Sequence, residues 1–274
     1  MRQSVSEQDQ EEKESFKLID ASSDLLGVLA AGITTANVYH DVSALFAGSV
    51  GVGIAHAFRY GLNIVANRLA AREKARVGVV YGLATHKIQE RLDNGETPRT
   101  DGFFEPDVTG CSAADESAEA VFLTAQKEYE ERKLPYIANL LDFLAFTPGI
   151  HRAMANQLVR LASSLSYRQF CLLALANEPT RMNMYSETYY GSTGQEAASL
   201  VALLKELFEL YQQHLIEIEG TLGTISRAPT DPRSMPLQNL LLDRVGDLLY
   251  QGMRLSDLPP SEYADIVSTL TRRR

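Results

Sequence analysis

The side chains best suited to nucleophilic chemistry are two cysteines, Cys111 and Cys171. Their number and separation fit neither a zinc site nor a disulfide framework and are typical of a reducing compartment. Cys171 lies in an apolar run, which raises the pKa of a thiol and makes it inert. Cys111 follows a glycine in a long loop and has no assured base. A Cys–His hydrolase is therefore a remote alternative, and no catalytic residue is predicted.

Three titratable residues, His40, Asp41 and His56, stand in an apolar part of the chain. In one continuous helix the two histidines would point about 160° apart, too far for one metal ion. A hairpin could bring them together, but the simpler interpretation is that each histidine is hydrogen-bonded within the fold or exposed to solvent. No metal site is therefore predicted. Because His40 and Asp41 must lose charge or face a pore to enter lipid, all three residues are candidates for pH sensing. Acid-triggered insertion is a hypothesis that follows.

The glycines Gly48, Gly51 and Gly53 resemble a dinucleotide-binding turn only superficially. The turn continues to His56, where a small residue is needed, and no acidic ribose partner lies at the required distance. There is no Walker-type phosphate loop, and the acidic residues of the central loop lack the spacing of a calcium loop. We therefore expect no cofactor and no small-molecule substrate, and a non-enzymatic protein.

From Leu25 to Phe58 the chain has one acid, two histidines and no Lys or Arg. A spanning helix needs about 20 mostly apolar residues, and neither arm of this segment is that long. It is either a buried Ala/Gly-rich hairpin or a hairpin that enters a membrane when triggered. Its glycines would let helix backbones approach closely in either setting. The candidates for membrane interaction in this segment are Val42, Leu45, Phe46, Gly48, Gly51, Gly53 and Phe58.

Three arginines, Arg68, Arg72 and Arg76, follow the apolar segment at intervals of four residues. This spacing predicts one basic helical face, which suits anionic lipid headgroups at roughly 1 kcal/mol per residue. The same arginines are also compatible with an ordinary solvated face. They complete the set of candidate membrane-interacting residues.

The charge distribution limits the classes of partner. The 274 residues have a net charge of −9, which disfavours general nucleic-acid binding. Residues 1–24 carry seven acids and three bases, whereas residues 59–91 carry seven bases and two acids. The acidic start is unlike a secretory signal. We expect a cytoplasmic protein, peripheral or conditionally inserted at the inner membrane, whose partner is a protein, a second copy or an anionic membrane.

Apolar periodicity predicts a mostly α fold with a small C-terminal winged-helix-like α+β module. Helices are expected at 13–31, 41–58 and, as one long helix, Tyr60–Asp93, which Asn94-Gly95 ends. The charges at 128–133 are expected to form a solvated helix end. The predicted regions are an acidic lead (1–23), a hairpin and long helix (24–93), a linker (94–112), a helical domain (113–176) and the C-terminal module (193–274).

Two capping boxes are predicted, at Ser112–Asp115 and Ser166–Gln169. In the tail, the alternation at 215–219 predicts a strand, which Thr224-Ile225 is expected to pair with as a hairpin. Helices are predicted at Gln238–Tyr250 and Pro260–Leu270.

Residues 130–146 contain a helix led by a proline, with Ala138-Asn-Leu-Leu141 at its centre, and the segment Leu158 to Leu175 contains a Leu-Ser pair followed by an apolar helix. This combination resembles bacterial abortive-infection alpha-type proteins. The tail from Leu240 to Leu255 resembles the closing helix of a winged-helix-like module in such proteins. The resemblance implies a role in phage resistance or stress and no catalytic residue.

The expected function is that of a defence effector whose N-terminal hairpin associates with membrane when triggered, while the C-terminal half regulates or senses. The alternative is a soluble adaptor that binds a protein partner, less readily DNA, through its C-terminal module.

Overall fold

The computed structural model describes residues 51–66, 71–178, 195–219 and 229–271, which are mostly helical. A two-stranded antiparallel sheet is also present. The predicted mostly α fold is confirmed at that level. Several predictions fall outside the described residues, namely those on the helix at 13–31, Leu25, His40, Asp41, Val42, Leu45, Phe46, Gly48, Arg68 and the Thr224-Ile225 strand.

The chain divides into two units, residues 1–160 and 161–274. The described helices that begin in the first unit are α1 (Gly51–Ala66), α2 (Ala71–Asp93), α3 (Ala113–Lys127), α4 (Leu134–Phe146) and α5 (Arg152–Ser164). The elements of the second unit are α6 (Tyr167–Ala176), α7 (Gln195–Gln212), β1 (Ile216–Ile218), β2 (Leu240–Leu242), α8 (Arg244–Gly252) and α9 (Ala264–Thr271).

Helix α3 is the centre of the first unit, since α1, α2 and α4 all pack against it. Its inner face is small or aromatic, and Ala118, Val121, Phe122 and Ala125 are fully buried. Both predicted capping boxes are confirmed. Ser112 and Asp115 exchange side chain-to-backbone hydrogen bonds at the start of α3, and Ser166 and Gln169 do so at the start of α6.

Helices α1 and α2 are separate helices that both pack on α3, which corrects the prediction of one helix from Tyr60 to Asp93. The rings of Phe58 and Tyr81 are 5.8 Å apart, and both contact Phe122 of α3. In one continuous helix Phe58 and Tyr81 would be about 35 Å apart, at about 1.5 Å per residue. The periodic stripe of α2 does form its buried face, and Gly95, with φ of +83°, follows the helix end as predicted.

Residues 94–112, predicted as a linker, lie within the first unit and are tied to α4. The buried Arg99 guanidinium donates to the carbonyls of Leu144 and Ile150 and stacks on the Phe103 ring. Arg99 also pairs with Asp101 at 2.6 Å, and Asp101 accepts the Gly149 N–H. The Arg99 hydrogen bond, with that of Gly149, holds the pKa of Asp101 well below its usual range.

In the second unit α6 is buried on all sides from Gln169 to Ala176, as expected for a stretch that is apolar nearly all round. Strand β1 confirms the predicted strand, but its partner is β2, with Glu217 opposite Leu241. Because Leu240–Leu242 is a strand, the helix predicted to begin at Gln238 begins instead at Arg244. The Thr224-Ile225 pairing lies outside the described residues. The predicted last helix is confirmed as a 3₁₀ turn, Pro260–Tyr263, leading into α9.

Replacing Asp101 by asparagine should lower the free energy of unfolding near pH 6 by up to about 1 kcal/mol, since Asp101 is partly exposed. A lowered folded-state pKa stabilises the protein above the unfolded pKa of about 3.9 and loses that effect as pH falls through the folded value. The difference between wild type and Asp101→Asn should therefore be smaller at pH 3 than at pH 6, measured by urea unfolding. The exposed Asp265, as Asp265→Asn, is the control. A pH-independent difference would contradict the proposed cause.

Replacing Gly246 by alanine should destabilise the second unit by about 3 kcal/mol, as expected for severe overpacking. A Cβ at this position would lie 1.8 Å from the Leu215 carbonyl oxygen, which is backbone and accepts the Asp243 N–H. The clash outweighs the gain of about 1 kcal/mol in helix propensity. Thermal unfolding monitored by circular dichroism, with the exposed Ser261→Ala as control, measures the effect. An unchanged melting temperature would contradict the observed approach of α8 to Leu215.

Candidate functional site

The described candidate residues, Gly51, Gly53, His56, Phe58, Arg72 and Arg76, all belong to α1 and the first turns of α2. The candidate site therefore consists of α1, the first turns of α2 and the surface of α3 on which both helices pack.

Helix α1 places its apolar side inside the first unit. Ile54, Ala57 and Phe58 are buried against α3 and the aromatic rings described above. The opposite side carries the exposed Val52 and His56. Phe58, a predicted membrane contact, is thus a core residue here, only 2% exposed. The described part of the apolar segment is packed within one chain.

Two glycines of α1 lie where another residue approaches closely. A Cβ on Gly61 would lie 2.8 Å from the backbone of Ala118 and Glu119, and one on Gly53 would lie 2.8 Å from the Phe104 Cβ. The close backbone approach expected from a Gly-rich helix occurs at Gly61, against α3. Gly51 is the first residue of α1.

His56 joins α1 to the start of α3 by a polar contact. Its Nδ1 lies 2.9 Å from Asp115 Oδ1, and the other Asp115 oxygen accepts the Ser112 N–H. The imidazole is 61% exposed, whereas Asp115 is 1% exposed. A buried carboxylate needs a partner for each oxygen, because an unsatisfied one costs about 1–3 kcal/mol or more. His56 supplies one of those partners.

Tyr60, one helical turn after His56 on α1, interacts with Cys111 of the loop before α3. The Tyr60 hydroxyl and the Cys111 thiol form a hydrogen bond, which raises the pKa of Tyr60. Burial is the largest cause of the raised pKa of Cys111, and nearby carboxylates add to it. A thiol with a raised pKa is mostly protonated at neutral pH and is a poor nucleophile. The arrangement therefore gives no support to the Cys–His hydrolase alternative.

Arg152 holds the loop around Cys111 in place. Arg152 donates to the Cys111 carbonyl at 2.9 Å and to the carboxylates of Asp107 and Glu116 at 2.6 and 3.0 Å. Asp107 also accepts from the N–H and hydroxyl of Thr109, which hold its pKa below its ordinary value. Every charged group of this cluster has a partner in the fold.

Arg72 and Arg76 converge on one carboxylate oxygen. The Nε atoms of both arginines contact Glu131 Oε1, at 2.9 and 3.1 Å. Arg76 also donates to the Gln126 carbonyl in the last turn of α3. Arg68 lies outside the described residues. The predicted spacing of Arg72 and Arg76 thus yields a shared contact to Glu131.

The predicted solvated helix end at 128–133 is correct for the exposed Glu131 and Arg132 but wrong for Glu128 and Lys133. Glu128 and Lys133 form an ion pair of 2.5 Å, and their side chains are nearly fully buried. Glu128 also accepts the Glu130 N–H. Sequence reasoning missed both this pair and the role of Glu131. The feature of the sequence that could have indicated the role of Glu131 is the excess of basic residues on α2, which favours acidic residues on the surface that α2 faces.

Within the described ranges no group of three or more His, Cys, Asp or Glu residues is placed to hold a metal ion. No described helix combines the length and apolar character needed to cross a membrane. A small apolar cavity lies between α1, α3 and α4 and is lined by Phe58, Phe104, Ala118 and Leu144 among others. Its lining offers no titratable group for chemistry.

Comparison with known proteins yields no relative: no family model, no curated protein and no solved structure matches the chain. The resemblance to abortive-infection alpha-type proteins therefore stays a prediction.

Replacing His56 by alanine should lower the free energy of unfolding by about 1–3 kcal/mol, because it leaves a buried Asp115 oxygen without a partner. The control is His86→Ala, an exposed histidine on the surface of α2. Urea unfolding near neutral pH measures both variants. Equal stabilities for the two would contradict a role for His56 in attaching α1 to α3.

Proposed function

We propose that the protein is a non-enzymatic adaptor or regulator that acts by binding another protein, with its C-terminal unit, residues 161–274, as the binding part. The observation that carries the proposal is the use of the predicted membrane-contacting residues within the fold. Phe58 lies in the core, and Arg72 and Arg76 hold Glu131. The burial of Phe58 favours the alternative of a soluble adaptor over that of a membrane effector.

The charge of the C-terminal unit indicates the kind of partner. Residues 161–274 carry thirteen Asp and Glu against ten Lys and Arg. Such a surface repels the phosphates of DNA and suits a basic protein surface. Part of this charge is already used, since Arg168 binds Glu206 in a bidentate contact and Gln169 binds Glu209. Within the described ranges Glu217 and Glu219, on and just after β1, form no ion pair, and we assign them to contact with the partner.

The C-terminal unit supports a winged-helix-like interpretation in one respect, the order of its elements. Helix α7 precedes β1, β2 follows, and α8 begins directly after β2. We assign the protein-binding role to this helix–strand–strand–helix region. A role in bacterial defence, and a cytoplasmic location, belong to the same proposal and rest on sequence arguments alone.

A conditional membrane effector is the second candidate, and one observation favours it. Val52 and Ile64 of α1 are exposed large apolar residues. They follow directly on the apolar stretch that precedes α1 in the sequence. In this alternative, release of α1 from α3 would precede insertion. A second copy of the chain is the other partner that such a surface would accept.

Site-specific photo-crosslinking in bacterial cells tests the adaptor proposal. Benzoylphenylalanine is placed at the exposed Lys205 and Gln251 in the C-terminal unit, and at the exposed Glu90 and Lys127 in the first unit as controls. The expected result is one discrete protein adduct from the C-terminal positions, weakened at high salt because the partner is basic. Adducts confined to the control positions, or none at all, would count against the proposal.

Dye release from phosphatidylglycerol vesicles separates the second candidate from the first. The adaptor proposal expects no leakage from the full chain between pH 5 and pH 8. Leakage that is lost in Val52→Asp and kept in the control Val108→Asp, a fully exposed loop position, would overturn the adaptor proposal and support the effector.

A further inference from the structure

Glu131 is bound as an anion ligand would be bound. Two guanidinium groups from successive turns of α2 direct their Nε atoms to the same oxygen, Glu131 Oε1. Glu131 comes from a different element, the short 3₁₀ turn Glu131–Lys133 that leads into α4. Arginine forks match the oxygens of carboxylates and phosphates equally well.

One arginine of the pair, Arg76, has a second anchor that does not depend on Glu131. The Arg76 side chain is only 14% exposed and is anchored by its second contact, to the Gln126 carbonyl. The turn that carries Glu131 is fixed next to the buried Glu128–Lys133 pair. An anion that entered would therefore find at least one guanidinium already oriented, which reduces the ordering cost of binding.

Glu131 itself is exchangeable. Its side chain is 46% exposed, and that of Arg72 is 74% exposed, so solvent reaches the contact. The Arg72 contact, followed by that of Arg76, lowers the pKa of Glu131. Glu131 is therefore an ionised internal competitor at neutral pH. Exposed ion pairs contribute about 1 kcal/mol or less, so an incoming dianion has little to displace.

We propose that Arg72 and Arg76 form a binding site for the oxyanion of a phosphate group, and that Glu131 occupies this site in the absence of ligand. A phosphate presents three oxygens to two forked donors, where the carboxylate presents one to both Nε atoms. The net positive charge of residues 59–91 favours the approach of such a group. The phosphate is either that of a small soluble compound or that of a lipid headgroup.

The matched pair Glu131→Gln and Glu96→Gln tests the site in the full chain. Glu96 is 47% exposed and pairs with one arginine, Arg91, at 2.6 Å. Both variants change the net charge equally, but only Glu131→Gln frees a convergent arginine pair. Two probes are used, inorganic phosphate in a titration calorimeter and flotation with phosphatidylglycerol vesicles, with phosphatidylcholine vesicles as the neutral control.

Glu131→Gln should bind at least one probe up to about fivefold more tightly than wild type, corresponding to about 1 kcal/mol. Glu96→Gln should bind as wild type does. Adding Arg72→Gln to Glu131→Gln should abolish the gain, and Arg72 is exposed enough for folding to be kept. A gain with inorganic phosphate assigns the site to soluble phosphate compounds, and a gain with anionic vesicles alone assigns it to lipid headgroups.

Equal binding by Glu131→Gln and Glu96→Gln to both probes would overturn the proposal, as would a gain that survives Arg72→Gln. The flotation readout differs from dye release and from crosslinking of the C-terminal unit. The site can therefore fail while the adaptor proposal stands, and the reverse also holds.

Discussion

The packing of α1 on α3 is the contact on which the rest of the first unit depends. Gly61 brings the backbone of α1 against that of Ala118 and Glu119, with no room for a side chain between them. At this short distance the Phe58 ring reaches Phe122 and Tyr81, which join α1, α2 and α3 into one core. A bulkier residue at position 61 would separate the helices and leave these rings without their neighbours, since edge-on aromatic contacts act only over a few ångströms.

The packing of α1 on α3 also determines which partners the neighbouring polar groups reach. Because α1 lies close to α3, His56 reaches the buried Asp115 at the helix start. At the other end of α3, Arg76 donates to the carbonyl of Gln126. Glu131, which follows α3 in the chain, lies between Arg72 and Arg76. Both ends of α3 are thus bonded to residues of a neighbouring helix. Among the described candidates for pH sensing and lipid binding, His56, Phe58, Arg72 and Arg76 attach α1 and α2 to this centre or to the turn that follows it.

Several predictions that depend on only a few neighbouring residues are confirmed. The capping boxes at Ser112 and Ser166, the helix end at Gly95 and the buried stripe of α2 depend on neighbours within one or two turns. Pairings between distant segments were not predictable in this way. The pairing of strand β1 with β2, which begins more than twenty residues later, was not predicted. The buried Glu128–Lys133 pair was likewise invisible, since both side chains are ordinarily exposed.

The sequence by itself determined the mostly helical character, the ends of several helices, and the absence of a recognisable catalytic or cofactor motif, because periodicity and capping are local properties. Only the tertiary structure decided that Phe58 faces a protein core and that Arg72 and Arg76 face Glu131. A helix with one apolar side and one basic turn is equally suited to lipid and to protein. Which of the two it meets depends on the shape and charge of the surface opposite, and here α3 and the turn at Glu131 supply both.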